Sequence, residues 1–535
     1  MAASEIFHRL RKYARIALYC HHTGRSARDV LDEIAAREVN RDRRRLLGAM
    51  GAAAMTTGAL PASIRPAFAA PRVTGSVAIV GAGLAGLSCG HSLARKGVLA
   101  HLFEASGRAG GRCHTLYDFY PGQVAERGGE FIDTGHVTMR GYANAFGLTL
   151  ENVTKEPGEV AYFFNGRHFS EAQVVEEFRA FVPAMQADIK KLSPPTADSF
   201  TEADRALDFT TLRDYLSSRG AGPLIREVLD VAYTIEYGLE TSEQSCINLL
   251  MFIHADRRSK FRPFGVFSDE RFHVVEGNDR IAQGLAGDLA GQIAYEHRLQ
   301  RVHKLHNGRI RLSFDNRGKT VETEHDAVVL TLPFSVLRDV ELDASLELPR
   351  WKRYAIDNLG YGTNSKMMIG FSARPWNLYH GSNGTAYSDL PHLQNNWETN
   401  AIRATQNSAI LTDYSGGNRG KLLDPGRLES EAGLFLGALD KVYPNASLYA
   451  SRNRQGKYRA HLENWSLNPL SKGSYTCNRP GYFTTIAGNE AKPVGNLFFA
   501  GEHTSSFYEW QGFMEGAALS GLRAAGEAFD RLRGL

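Results

Sequence analysis

Val77-Ala78-Ile79-Val80 runs directly into Gly81-Ala82-Gly83-Leu84-Ala85-Gly86, and Leu99-Ala100-His101-Leu102-Phe103 ends in Glu104. The first run is short, apolar and β-branched, the composition of a strand buried on both faces of a parallel sheet. From Leu84 the apolar residues recur at helical spacing as far as Lys96, where Gly97 supplies a stop. Strand, G-x-G-x-x-G, helix, strand and acid follow in the order that dinucleotide binding requires. Gly81 permits the tight turn, Gly83 lets backbone approach a pyrophosphate, and Gly86 lets helix and strand pack closely. The helix N-terminus offers its free N–H groups and dipole to phosphate. Glu104 stands 23 residues after Gly81, where it can accept hydrogen bonds from a ribose hydroxyl.

The composition fits this reading. The chain has 535 residues, 43% hydrophobic and 22% charged, which excludes a disordered tail, a coiled coil or a disulfide-stapled miniprotein. Its length implies more than one core-forming unit. The net charge of +4 does not point to nucleic acid. Residues 1–69 hold 12 Lys and Arg against 6 Asp and Glu, so the remainder carries −2.

Residues 1–69 read as an address. Arg43-Arg44-Arg45 precede an apolar stretch from Leu46 to Leu60, and Ala67-Phe68-Ala69 forms a small-residue cleavage site. This pattern predicts a twin-arginine signal, export of the folded protein through that machinery, and a periplasmic or secreted location. The apolar stretch is too short to span a bilayer comfortably, so no stable membrane span is expected after processing. Cys20-His21-His22 resembles a metal-binding fragment but falls in this leader. The other cysteines, Cys89, Cys113, Cys246 and Cys477, lack zinc spacing and are expected to be reduced and buried; no metal site is predicted.

Past Glu104, Glu104-Ala105-Ser106-Gly107-Arg108-Ala109-Gly110-Gly111-Arg112 resembles the E-A-x-x-R-x-G-G-R stretch of the flavin amine oxidase family. Gly111 keeps a backbone close to the dinucleotide, and Arg108 and Arg112 offer forked donors to phosphate. Ala125-Glu126-Arg127-Gly128-Gly129-Glu130-Phe131 is similar to the family segment that meets the flavin ring. At the other end, Phe498-Phe499-Ala500-Gly501-Glu502 and Trp510-Gln511-Gly512-Phe513-Met514-Glu515-Gly516-Ala517 resemble the family's returning strand and ring-lining helix start. The resemblance assigns FAD contacts to Glu502, Gly512, Phe513, Met514, Glu515 and Ala517, and to Gly128, Gly129 and Glu130. The helix dipole there would favour negative charge on the reduced ring. In the middle, Val274-Val275-Glu276-Gly277-Asn278 resembles a family turn in which Asn278 replaces a glycine, a substitution that tolerates positive φ. Val302 matches the position whose backbone meets adenine, and Val328 to Pro333 match a strand ending in T-x-P.

These matches imply a Rossmann-like FAD-binding domain, in the α/β class, interleaved with an α+β substrate domain. FAD-binding parts are expected at 73–140, 271–345 and 471–535, a helical substrate region at 141–270, and a substrate-domain sheet at 346–470. Val174, Phe178, Phe181, Met185, Ile189 and Leu192 mark one face of a core helix that Pro183 should kink or split. A further helical stretch should begin near Thr211.

The resemblance also implies the chemistry. Lys366 matches the family lysine that holds a water against the flavin, and Tyr475 and Phe513 match the two aromatics that flank the amine. Ser474 occupies the position where monoamine oxidases attach FAD through cysteine, so FAD is expected to be non-covalent. The implied reaction oxidises a primary or secondary amine to an imine, with O2 or another acceptor taking the electrons. L-amino-acid oxidation is the alternative. The L-amino-acid oxidases of snake-venom type have an Arg for the substrate carboxylate where this chain has Phe131. Glu130 and Glu236 are candidates to meet a second cationic group, as in polyamines or basic amino acids. A desaturase-like flavoenzyme and a non-catalytic FAD-binding scaffold share the Gly-rich end without requiring Lys366 or the aromatic pair. Assembly as a homodimer stays open.

Overall fold

The computed structural model describes residues 13, 16–17, 20, 24–31, 75–153, 158–254, 270–400, 407–506 and 510–534. The twin-arginine stretch and the Ala67-Phe68-Ala69 site lie outside them.

Val77–Val80 is the central strand of a five-stranded parallel sheet. The order is Leu497–Phe499, Ala327–Leu330, Val77–Val80, Ala100–Phe103, Ile293–Ala294. Every residue of Val77–Val80 and Ala327–Leu330 is buried, which explains their unbroken apolar composition. The sheet draws on three distant stretches of chain, so the polypeptide leaves this domain and re-enters it twice. Helix Leu84–Arg95 ends as expected, with Gly97 left-handed at φ +80 and its N–H on the Ala94 carbonyl. Helix Met514–Arg533 crosses Leu84–Arg95 at close range, because a Cβ on Gly521 would collide with the Ala85 carbonyl oxygen.

A four-stranded sheet is built within the first return, from Arg298–Lys304, Ile310–Asn316, Lys319–His325 and Glu341–Leu342. A seven-stranded sheet forms the second domain, ordered Ala460–Asn464, Ser365–Phe371, Ala409–Ser415, Leu393–Glu398, Ser382–Leu390, Glu159–Phe164, Arg167–Phe169. Helices Pro223–Tyr237 and Leu428–Val442 pack on it, and Glu171–Ile189 packs against Pro223–Tyr237 and Ile247–His254. Val174, Phe178, Phe181, Met185, Ile189 and Leu192 are all buried. Pro183 neither splits nor ends its helix, which runs unbroken over 19 residues from a Ser170–Gln173 capping box. Thr211 caps the helix Leu212–Ser218 by accepting from the Asp214 N–H. A helix at Glu202–Asp208, with its own Thr201–Asp204 capping box, went unread in the sequence.

Two further differences matter. Asn278 is right-handed (φ −65), and Gly277 takes the positive φ of +102 instead. Asn278 is used for its side chain: Oδ1 accepts from Val274 N at 2.9 Å, and Nδ2 donates to the carbonyls of Gly129 (3.0 Å) and Glu130 (2.6 Å). Part of the leader also belongs to the folded body. Tyr13, Ile16, Ala17, Cys20, Ala27 and Val30 are buried in the same core as the substrate-domain helices. Cys20 therefore sits in a packed interior. All five cysteines are free and buried.

Candidate active site

One cavity joins the turn at residues 81–86 to the seven-stranded sheet. Three backbone segments converge on its floor. Gly110 donates to the Ala82 carbonyl at 2.8 Å, and Gly129 donates to the Arg112 carbonyl at 3.1 Å. A Cβ on Gly86 would strike the Gly81 carbonyl and one on Gly128 would strike the Arg112 carbonyl, whereas a Cβ on Gly83 would meet nothing within 4 Å. Gly86 is therefore a packing glycine beneath the turn, and Gly83 faces the cavity. Glu104 accepts from Ala82 N and from both the N and Oγ of Ser106, each at 2.8 Å. Ala105, Arg108 and Gly111 line the same wall.

Arg112 and Glu502 bind the first and last stretches of the dinucleotide-type domain together. Arg112 Nη1 lies 3.0 Å from Glu502 Oε1 and donates to the Ser474 carbonyl at 2.7 Å; Thr476 Oγ1 holds the other Glu502 oxygen at 2.9 Å. The helix starting at Met514 aims its N-terminus at this region, with Gly512, Phe513, Met514 and Ala517 on the cavity wall. These donors and the glycine-rich backbones fit a dinucleotide flavin.

Three expected contacts are corrected. Glu515 caps another helix, accepting from Thr138 N and Met139 N at 2.8 Å each, because helical periodicity turns it away from the face that carries Met514 and Ala517. Val302 is fully buried inside the four-stranded sheet, and His297, Arg298, Leu299 and Gln300 meet the cavity instead. Glu130 lies off the cavity wall with its carboxylate committed internally.

That commitment is to Lys366, on the wholly buried strand Ser365–Phe371. Lys366 Nζ donates to Glu130 Oε2 at 2.6 Å, to the Gly128 carbonyl at 2.9 Å and to the Glu126 carbonyl at 3.2 Å. Three acceptors satisfy the three ammonium protons, so the cation is paired where an isolated one would be heavily penalised. Trp397 Nε1 donates to the second Glu130 oxygen at 3.0 Å. Glu130 is thus engaged by Lys366 and Trp397 and is not presented to a distal substrate cation. Burial pushes the Glu126 carboxyl up to about 8.

Tyr475 lines the cavity together with Tyr414, their hydroxyls 2.6 Å apart, and Tyr475 donates to the Glu236 carbonyl at 2.6 Å. Burial holds both phenols well above their usual range, so they stay protonated. Trp397 packs edge-on against Tyr414 at 5.3 Å, and Phe131 tilts against Trp397 at 5.8 Å. Phe513 lies on the cavity wall with its ring against His136 and Trp510. Tyr414, Trp397, Trp465 and Asn364 escaped the sequence reading. Tyr414 meets Lys366 only as a cross-strand neighbour, a pairing that no local pattern reports.

Residues 84–528 match the family model of flavin containing amine oxidoreductases. The chain belongs to that family. It is 24% identical over 457 residues to an L-amino-acid oxidase from Naja atra, a match covering 84% of this chain and 87% of the relative. Cyclohexylamine oxidase from Brevibacterium oxydans IH-35A superposes with a TM-score of 0.72 at 19% identity, covering 86% of this chain and 99% of the other. Wild-type putrescine oxidase bound to putrescine gives 0.69 at 17% identity, covering 85% and 98%. At such identities the two structures report a shared fold. As a flavin amine oxidoreductase the chain is an enzyme, with the mixed α/β architecture of these neighbours. Among the described residues, no group of three or more His, Cys, Asp or Glu is placed to hold a metal, and no helix is long and apolar enough to cross a membrane.

Proposed function

We propose that the protein is an exported oxidase of carboxylate-free amines that holds FAD non-covalently. FAD, when bound, supplies the two-electron oxidation of the amine to an imine, which water hydrolyses to a carbonyl compound and ammonia or a smaller amine while O2 is reduced to hydrogen peroxide. Gly81, Gly83 and Arg108 would hold the adenosine diphosphate portion, and Arg112, Glu502 and the Met514 helix start the portion next to the ring. Ser474 lines the cavity near that end, and burial keeps the Cys113 thiol on the same wall protonated, which supports a non-covalent cofactor.

The observation that carries the substrate class is charge placement. Of the cations lining the cavity, Arg112 is paired with Glu502, Arg127 with Glu463 at 2.6 Å, and Lys366 with Glu130. Among the described residues, no lining cation at the aromatic end is left over for a substrate carboxylate. The carboxyl groups of Glu236 and Glu270 lie close enough to raise the Tyr414 hydroxyl further. Tyr475 and Tyr414 would orient the amine through their ring faces, their hydroxyls holding the two rings in place, and Lys366 fixes the backbone at Gly128. L-amino-acid oxidation is the second reading, favoured by the Naja atra relative. Anaerobic mixing of the yellow holoenzyme with a panel of amines and L-amino acids tests the choice. Bleaching at least tenfold faster with amines is expected; equal or faster bleaching with L-amino acids would overturn it.

A further inference from the structure

The leader carries two short amphipathic pieces that the folded body receives through a matched pair of charges. Tyr13, Ile16, Ala17 and Cys20 are helical, recur at steps of 3, 1 and 3, and are all buried. Gly24 closes this piece in the left-handed conformation (φ +71), its N–H on the Cys20 carbonyl at 2.9 Å. Ser26 opens the next, its Oγ accepting from Asp29 N at 3.2 Å, with Ala27 and Val30 buried. Helix Glu171–Ile189 answers both ends. Arg179 donates to the carbonyl of Cys20, at the negative end of the first piece, and to that of Arg25 between the two, and Glu176 accepts from Ala27 N at 2.7 Å, at the positive end of the second. Glu176 and Arg179 are three residues apart and share one helix face. Tyr13 reaches the strand Glu159–Phe164, its hydroxyl 3.1 Å from that of buried Tyr162.

We propose that this face of the substrate domain is a docking surface for the chain's own residues 13–31, and that the segment stays seated as an integral piece of the enzyme even when the chain is severed behind Ala69. Eleven residues lie between Leu31 and Arg43, an extended reach of about 40 Å at most, so a docked segment is compatible with display of the arginines to an export receptor. A conventional discarded leader would use none of the capping, burial or ion-pair features above. The docking is independent of the proposed chemistry.

The test uses the full-length holoprotein with a site-specific protease sequence inserted between Ala69 and Ala70. After cutting, the 1–69 fragment should co-elute with the body on a non-denaturing sizing column and separate only in denaturant. In Ala17→Asp, and separately in Arg179→Ala, the retained fraction should fall at least tenfold. On the uncut protein, amide exchange at Gly24 and Val30 should be slowed well below the unstructured rate. A wild-type fragment that elutes alone after cutting, or amides exchanging at the unstructured rate, would overturn the proposal.

Discussion

Lys366 Nζ lies 2.6 Å from Glu130 Oε2, and this buried pair ties the seven-stranded sheet to the 128–130 segment of the dinucleotide-type domain. Both side chains are almost wholly excluded from water, so each charge depends on the other.

Removing one partner should therefore be worse than removing both. Lys366→Met should lower the thermal midpoint and slow reoxidation by O2 at least tenfold while the yellow absorbance remains. Adding Glu130→Gln to it should recover stability, with a coupling of roughly 0.5–3 kcal/mol in a double-mutant cycle. Strictly additive losses would contradict the pairing.

Tyr475 lines the cavity and gives its hydroxyl to the Glu236 carbonyl, 2.6 Å from that of Tyr414. Tyr475→Ala should raise KM for amines roughly 5–30-fold, the range expected when a desolvated cation–π contact of about 1–2 kcal/mol is lost. Tyr475→Phe, which keeps the ring, should stay within about threefold. Steady-state kinetics with one good amine would separate the two.

Gly86 has no room for a methyl group against the Gly81 carbonyl. Gly86→Ala should yield protein with less than about a tenth of the normal flavin-to-protein absorbance ratio, because turn and helix cannot close on each other. Gly97→Ala is the control. Its φ of +80 strains any side chain, but the space is open, so a loss of about 1 kcal/mol with normal flavin content is expected.

Glu126 should give the fold a measurable pH dependence. Burial raises its carboxyl to about 8, while in the unfolded chain it ionises near 4.5. Between those values the folded state keeps the proton and the unfolded state has lost it, so stability falls as pH rises through the window. Melting curves from pH 5 to 8 should show that decline, and Glu126→Gln, which cannot ionise, should flatten it. An unchanged slope would place the titration elsewhere.

Local signals sufficed for the dinucleotide fold because its requirements are local. A two-sided buried strand must be apolar, a tight turn beneath a helix must be glycine, and both constraints act within a few neighbouring residues, as Val77 to Gly86 show. The lysine and the aromatic Tyr475 were legible only through likeness to a family. Their partners were not legible at all. Tyr414 reaches Lys366 across a strand pair, Glu130 reaches it from another domain, and helical phase turns Glu515 from the cavity to the end of a different helix. The same holds for the leader. Sequence alone read residues 1–69 as an address, and only packing against Glu176, Arg179 and Tyr162 brought Tyr13, Cys20 and Ala27 into the body. Contacts between distant segments depend on how separate elements stack, and that geometry is settled by the whole core at once.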